Sequence, residues 1–323
     1  MPLALHTFRQ HWRRFQPKNQ YRNERVLRTR DPKKDKAYLV RQQQPVFVCA
    51  STDMFDCAEQ QVADLLQRRP EVKDLEREIP KLQKKFERTK NAIDGLALIF
   101  AEAPRASLAQ IQMDEHPHGY QDKHARLFEL IDFNDVVVST VLALEPQQLP
   151  VFAERTKQAM DRMSMRVGAP CFSNEQWDAI VRGLSLEIAV YLAAKNSGFY
   201  VYMTSRTQDA LGVDLQVQDP ESRRYINIDV KSPGAFRRRL EQLVKEDRMT
   251  EKELVQGDEQ SYAYILNGHG QHRINVVILS TLPDKFGMVE NFQFVDIAPL
   301  RDMLSRLIRE HGQRDKDFGY IKD

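Results

Sequence analysis

Cysteine is scarce in this chain: 323 residues contain three, Cys49, Cys57 and Cys171. So few thiols, so widely spaced, exclude a disulfide framework and a closed four-ligand zinc site. The expectation is a reduced protein of the cytoplasm. Long apolar runs are also missing. No stretch approaches the roughly 18 residues of a membrane-spanning helix, so no membrane is expected as a partner. No serine precedes Ser51 and no apolar core follows Met1, which argues against an organelle transit peptide and a secretory signal. Gly (13) and Pro (15) are too few for a collagen-like or low-complexity chain, so a folded globular protein is expected.

Acidic residues are sparse at the start. Residues 1–41 hold twelve Lys and Arg against three acids, a net charge of +9 in a chain whose total is +2. A basic arm of this kind suits nucleic acid or another acidic surface. Arg13 and Arg14 sit beside Trp12, with Phe8, Phe15 and Tyr21 nearby, and such rings can stack on bases. The alternative is that the aromatic residues dock the arm onto its own protein.

Residues 42–170 read as a mainly helical region. PVFVCA at 45–50 suits a short strand or a buried loop, and 53–68 suits a helix. From 71 to 103, Val72, Leu75, Ile79, Leu82 and Phe86 recur at helical spacing, with a kink or break expected at Pro80. Two helical heptads suggest a hairpin arm. A loop rich in His and Pro is expected over 104–120, then helices over 123–145 and 149–165. Asp114, Glu115, His116, His118, Asp122 and His124 are metal-ligand types, but Pro117 and Gly119 break helical ligand geometry, so a solvated loop is expected there. This region also offers a surface for a homodimer or a protein partner.

The pattern changes after Gly168-Ala-Pro170. Ser173 and Gln176 form a capping box for a helix that ends near Asn196-Ser-Gly198. Strand-like runs follow at 199–204, 213–218 and 224–231. A basic helix is expected over 235–247, and another over 250–258 behind the capping box Thr250/Glu253. A buried strand follows at 273–281, a candidate strand at 292–297 and a closing helix at 298–311. The fold class read from this order is α/β, a three-layer mixed-sheet domain over 171–323.

Asp219-Pro-Glu-Ser-Arg-Arg224 has turn composition. Centring the turn between Glu221 and Ser222 puts Asp214 opposite Asp229 and Lys231 opposite Gly212. One face then carries Val213, Leu215, Val217, Ile226, Ile228 and Val230. The other carries Gln216, Gln218, Tyr225 and Asn227 with the two aspartates, and its plain reading is the wet side of an amphipathic hairpin. An opposed Asp–Asp pair is destabilising unless a cation compensates it.

Gly212-Val213-Asp214 followed by Asp229-Val230-Lys231, in an α-β-β-β-α-β order, resembles the PD-(D/E)XK nuclease superfamily over about residues 172–311. Val213 stands where the family's name has Pro. The resemblance implies a restriction-endonuclease-like core and a divalent-metal-dependent nuclease; DNA is the expected substrate, with RNA left open. It assigns Asp214, Asp229 and the Val230 carbonyl as ligands of Mg²⁺ or Mn²⁺. Lys231 becomes the group that orients the attacking water, and Glu187, on the preceding helix, supports the metal site. Arg206, Arg237, Arg238 and Arg239 are candidate phosphate contacts, since arginine suits bidentate phosphate recognition. The alternative is a non-catalytic nucleic-acid-binding or assembly protein on the same fold.

Overall fold

The computed structural model describes residues 53–66, 70–115, 125–204, 212–269 and 272–314. Residues 49–323 form one compact unit. The basic arm with Arg13 and Arg14, the run 45–50, Arg206, and His116, His118, Asp122 and His124 all lie outside the described residues.

The first part is helical: α1 (Met54–Ala63), α2 (Val72–Thr89), α3 (Ala92–Glu115), α4 (Ala125–Val141) and α5 (Leu149–Arg166). The stripe Leu75, Ile79, Leu82 and Phe86 is buried. The expected break at Pro80 does not occur, and α2 runs through it. Pro80 lies on the exposed side, where water can satisfy the carbonyl left by its missing N–H. The expected loop over 104–120 is corrected as well. α3 passes through Pro104 to Glu115, and Ala106, Ala109 and Met113 continue its buried surface. Asp114 and Glu115 are therefore helical; Asp114 accepts bonds from Gln110 and Gln176, both at 2.8 Å. α3 is buried on nearly all sides and packs against α1, α2, α4 and α5. Cys57 on α1 is disulfide-bonded, contrary to the expectation of a reduced chain, whereas Cys171 is a free thiol.

Helix α6 (Asn174–Asn196) opens at the Ser173/Gln176 capping box and leads into the sheet. Its first half, with Trp177, Leu184 and Ile188, packs into the helical core. Its second half, with Ala189, Val190, Ala193 and Ala194, packs under the sheet. The sheet contains β1 (Tyr200–Met203), β2 (Leu215–Gln218), β3 (Arg224–Lys231), β4 (Tyr262–His269) and β5 (His272–Ser280). Its order is β1-β2-β3-β5-β4; β3 and β5 are parallel and the other pairs along this path are antiparallel. Helices α7 (Pro233–Lys245) and α8 (Glu251–Gln260) make the crossover from β3 toward β4 and β5.

Both sheet faces are covered. Leu215, Val217, Ile226, Ile228 and Val230 pack with α6 and with α10 (Ala298–His311), which follows the short helix α9 (Pro283–Phe286). Ala263, Ile265, Val276 and Ile278 pack on the opposite face with Phe236 and Leu240 of α7 and Leu254 of α8. Strand β4 is absent from the sequence reading, and the 292–297 candidate shrinks to β7 (Gln293–Phe294), paired with β6 (Val289–Glu290). Among the described residues no helix is long and apolar enough to cross a membrane.

Candidate active site

The β2–β3 hairpin has the expected register: Leu215 pairs with Ile228, Gln216 with Asn227, Val217 with Ile226 and Gln218 with Tyr225. Past Leu215 the ladder changes. The Asp214 N–H donates to the Ile228 carbonyl at 2.8 Å, so Asp214 and Leu215 both address one residue of β3. Two residues facing one is a β-bulge, which re-aims the side chains at its own end of the strand. Gly212 enters the bulge with φ 74°, in the left-handed region. Val213 consequently leaves the face of Leu215 and Val217, where the sequence placed it, and joins the opposite cluster with Phe236 and Leu240. Thr204 holds the bulge from β1: its N–H donates to the Asp214 carbonyl at 3.1 Å, and its hydroxyl bonds the Val213 carbonyl.

The polar face of the hairpin is not wet. Gln216, Gln218, Tyr225, Asn227 and Asp229 are all buried. Buried amides need partners. Gln216 Nε2 donates to Asn227 Oδ1 and Asn227 Nδ2 to the Asn275 carbonyl, each at 2.9 Å, a polar row across β2, β3 and β5. Sequence reasoning placed Gln216 and Asn227 on this face but gave them no role in it. The opposition of two amides in the predicted register was the available signal.

At the end of this row Asp214 and Asp229 converge on one ammonium. Lys231 Nζ lies 3.8 Å from Asp214 Oδ2 and makes a closer ion pair with Asp229 Oδ1. The Asp214 and Asp229 side chains are 8% and 6% exposed, that of Lys231 30%. Asp214 Oδ2 also accepts the Val230 N–H at 2.7 Å, so β3 fixes the carboxylate. The Val230 carbonyl accepts from Lys231 Nζ at 3.3 Å. Thr281, just beyond β5, donates to the Lys231 carbonyl through its N–H at 3.0 Å and its hydroxyl at 3.1 Å. Burial works against the Lys231 ammonium, but Asp214 and Asp229 outweigh it, with Glu187 adding to them, and its pKa is raised. Glu187 of α6 thus belongs to the electrostatic surroundings of Lys231.

The three arginines of the basic helix differ in setting. Arg237 is engaged by Glu241 at 2.9 Å and by Asp258. Arg238 is exposed and Arg239 half-buried.

Three features bear on a divalent cation. The acids and the Val230 carbonyl are hard oxygen donors, and Mg²⁺ is commonly held by one or two carboxylates with water and phosphate completing its shell. The Lys231 ammonium shows that the space between the carboxylates accepts positive charge. Ser280 Oγ, at the register position of Lys231, is buried without a hydrogen-bond partner among the described residues. Among the described residues no group of three or more His, Cys, Asp or Glu is placed to hold a metal, so the protein ligands would be these two acids and a carbonyl. The donor set fits Mg²⁺ or Mn²⁺. Comparison with known proteins adds no relative: no family model, no curated protein and no solved structure matches the chain.

Proposed function

We propose that the chain is a divalent-metal-dependent nuclease that hydrolyses phosphodiester bonds, with DNA as substrate, on a restriction-endonuclease-like core of the PD-(D/E)XK kind. The observation that carries the reading is the convergence of Asp214 and Asp229 on Lys231 at one end of the β2–β3 hairpin. Asp214, Asp229 and the Val230 carbonyl are the groups that would hold Mg²⁺ or Mn²⁺, which when bound supplies charge neutralisation at the scissile phosphate and a more acidic water.

The chain's own residues do the rest. Lys231 keeps its proton, because two carboxylates surround it, and so presents fixed positive charge where negative charge grows on the phosphate in the transition state. The Val230 N–H and the Thr204 and Thr281 bonds hold Asp214 and Lys231 through the backbone, so their positions need no reorganisation during reaction. Helix α7 starts at Pro233, directly after this strand, and its N-terminal N–H groups add positive potential beside Lys231.

Incubating the purified protein with single-stranded, linear and nicked DNA in Mg²⁺, Mn²⁺ or EDTA tests the reading. Cleavage is expected only with metal. Asp229→Asn and Lys231→Ala should each abolish it, with DNA binding nearly retained for Lys231→Ala, since that group acts chiefly in the transition state. Metal-independent cleavage, or wild-type cutting by Lys231→Ala, would refute it. Binding without turnover under all conditions would leave the non-catalytic alternative.

A further inference from the structure

The sheet face that carries Asp229 is divided. Over β4 and β5 it lies beneath α7 and α8. At the other edge is β1, and here two large rings face outward: Tyr200 and Tyr202, each 50% exposed. Register places them. Tyr200 pairs with Gln218 and Tyr202 with Gln216, while Val201 and Met203 alternate to the opposite face. Gln216 pairs with Asn227, which stands two residues before Asp229 on the same face. Both tyrosines are therefore on the face of Asp229. Tyr202 is two strands and two residues away from it, a separation of about 12 Å from the usual strand spacing and rise.

We propose that Tyr200 and Tyr202 form a stacking platform for unpaired bases, so that the substrate is single-stranded nucleic acid or the single-stranded part of a junction, overhang or flap. This rests on the nuclease reading of Asp214, Asp229 and Lys231. Residues i and i+2 of a strand are about 7 Å apart, roughly twice the stacking rise of bases, so a base can lie on either ring or enter between them. A base inside an intact duplex presents no free face to a surface ring; an unpaired one does. The 12 Å separation then corresponds to only a few nucleotides between the stacked base and the scissile phosphate. Tyrosine suits the task because its ring offers a large apolar area while its hydroxyl tolerates water.

The test is fluorescence anisotropy of full-length protein in EDTA, with labelled oligothymidylate and a blunt duplex as probes. The comparison is between wild type, Tyr200→Ala/Tyr202→Ala and Tyr200→Phe/Tyr202→Phe. Wild type should prefer the single strand. Each ring removed should weaken oligothymidylate binding about tenfold, with little change for the duplex, and the Phe pair should bind like wild type. Equal affinity of wild type for both probes, or an Ala variant that binds the single strand unchanged, overturns the platform. So does a wild-type dimer that the Ala pair dissociates without loss of oligothymidylate binding, which would make β1 an edge for pairing with a second copy. The two readings fail separately. If metal-dependent cleavage is found but ignores the tyrosines, the platform alone is wrong. If no form cuts yet ring removal weakens single-strand binding as stated, hydrolysis is wrong and the platform stands.

Discussion

Replacing Lys231 by Met keeps the length of the side chain and removes its charge, leaving Asp214 and Asp229 facing each other with 8% and 6% of their side chains exposed. Removing one partner from a buried ion pair typically costs about 3–5 kcal/mol. The Lys231 side chain is itself 30% exposed, and water there screens the interaction, so about 2 kcal/mol is the better expectation. For a domain of this size that is a fall of roughly 4–8 °C in Tm. The pH dependence gives the sign. Lys231 has a raised pKa in the fold, so its contribution is complete below the unfolded value of about 10.4 and is lost only as pH rises through the folded one. Wild type therefore keeps it across neutral pH. In the variant two carboxylates share a buried site without a cation, which favours the neutral form of one of them. Mg²⁺ at a hundredfold excess over Kd should return about 2.7 kcal/mol to the variant. Thermal melts of both proteins across pH, in EDTA and in Mg²⁺, measure all of this. Equal Tm values in EDTA at pH 8 would refute the account of Lys231 as the internal counter-cation.

Two further perturbations follow from particular atoms. Gly212→Ala forces a side chain onto φ 74° and sets its Cβ 3.0 Å from Asn267 Nδ2, so a loss of about 1–2 kcal/mol in chemical denaturation and reduced cleavage are expected, because the bulge carries Asp214. Glu102 of α3 is buried with Oε2 unpartnered among the described residues, and burial pushes its pKa up to about 7. A raised acid pKa stabilises the fold below the unfolded value and loses that contribution as pH rises from about 4.5 to 7, an effect of roughly 3 kcal/mol. Glu102→Gln should flatten that pH dependence and melt higher than wild type at pH 8; an unchanged slope would show that Glu102 is not its source.

The hairpin register was legible because a Pro-Glu-Ser turn and strict alternation on both sides leave few ways to pair 213–218 with 224–231. The bulge was not, since an inserted residue leaves no period of its own; Gly212 is its only local mark, and Val213 looks like any core valine. The burial of Gln216 and Asn227 was not legible, because amides say nothing about burial until a partner, here the carbonyl of Asn275, is brought from a distant strand. Strand β4 was hidden for a different reason. Ala263 and Ile265 point into the core while Tyr264 and Leu266 point outward and stay exposed, so its two faces have no polar contrast. Pro104 misled in the opposite way, because the small and apolar residues after it keep α3 buried to Met113. Asp214, Asp229 and Lys231 could be named together because they sit on one hairpin; the electrostatic influence of Glu187 on Lys231 depends on how α6 packs beneath the sheet.

That packing makes α6 a common axle for two hydrophobic cores. A helix of 23 residues is about 34 Å long. Trp177 is gripped by the bundle near one end and Ala194 by the sheet near the other, with Glu187 between them. Melting either half strips one side of the axle, and a half-stripped helix is a poor support for the remaining half. The bundle and the sheet should therefore yield in a single calorimetric transition. A load that slides α6 along its length, such as a partner seated on the bundle, would carry the Glu187 carboxylate with it and alter the field at Lys231 without touching the hairpin.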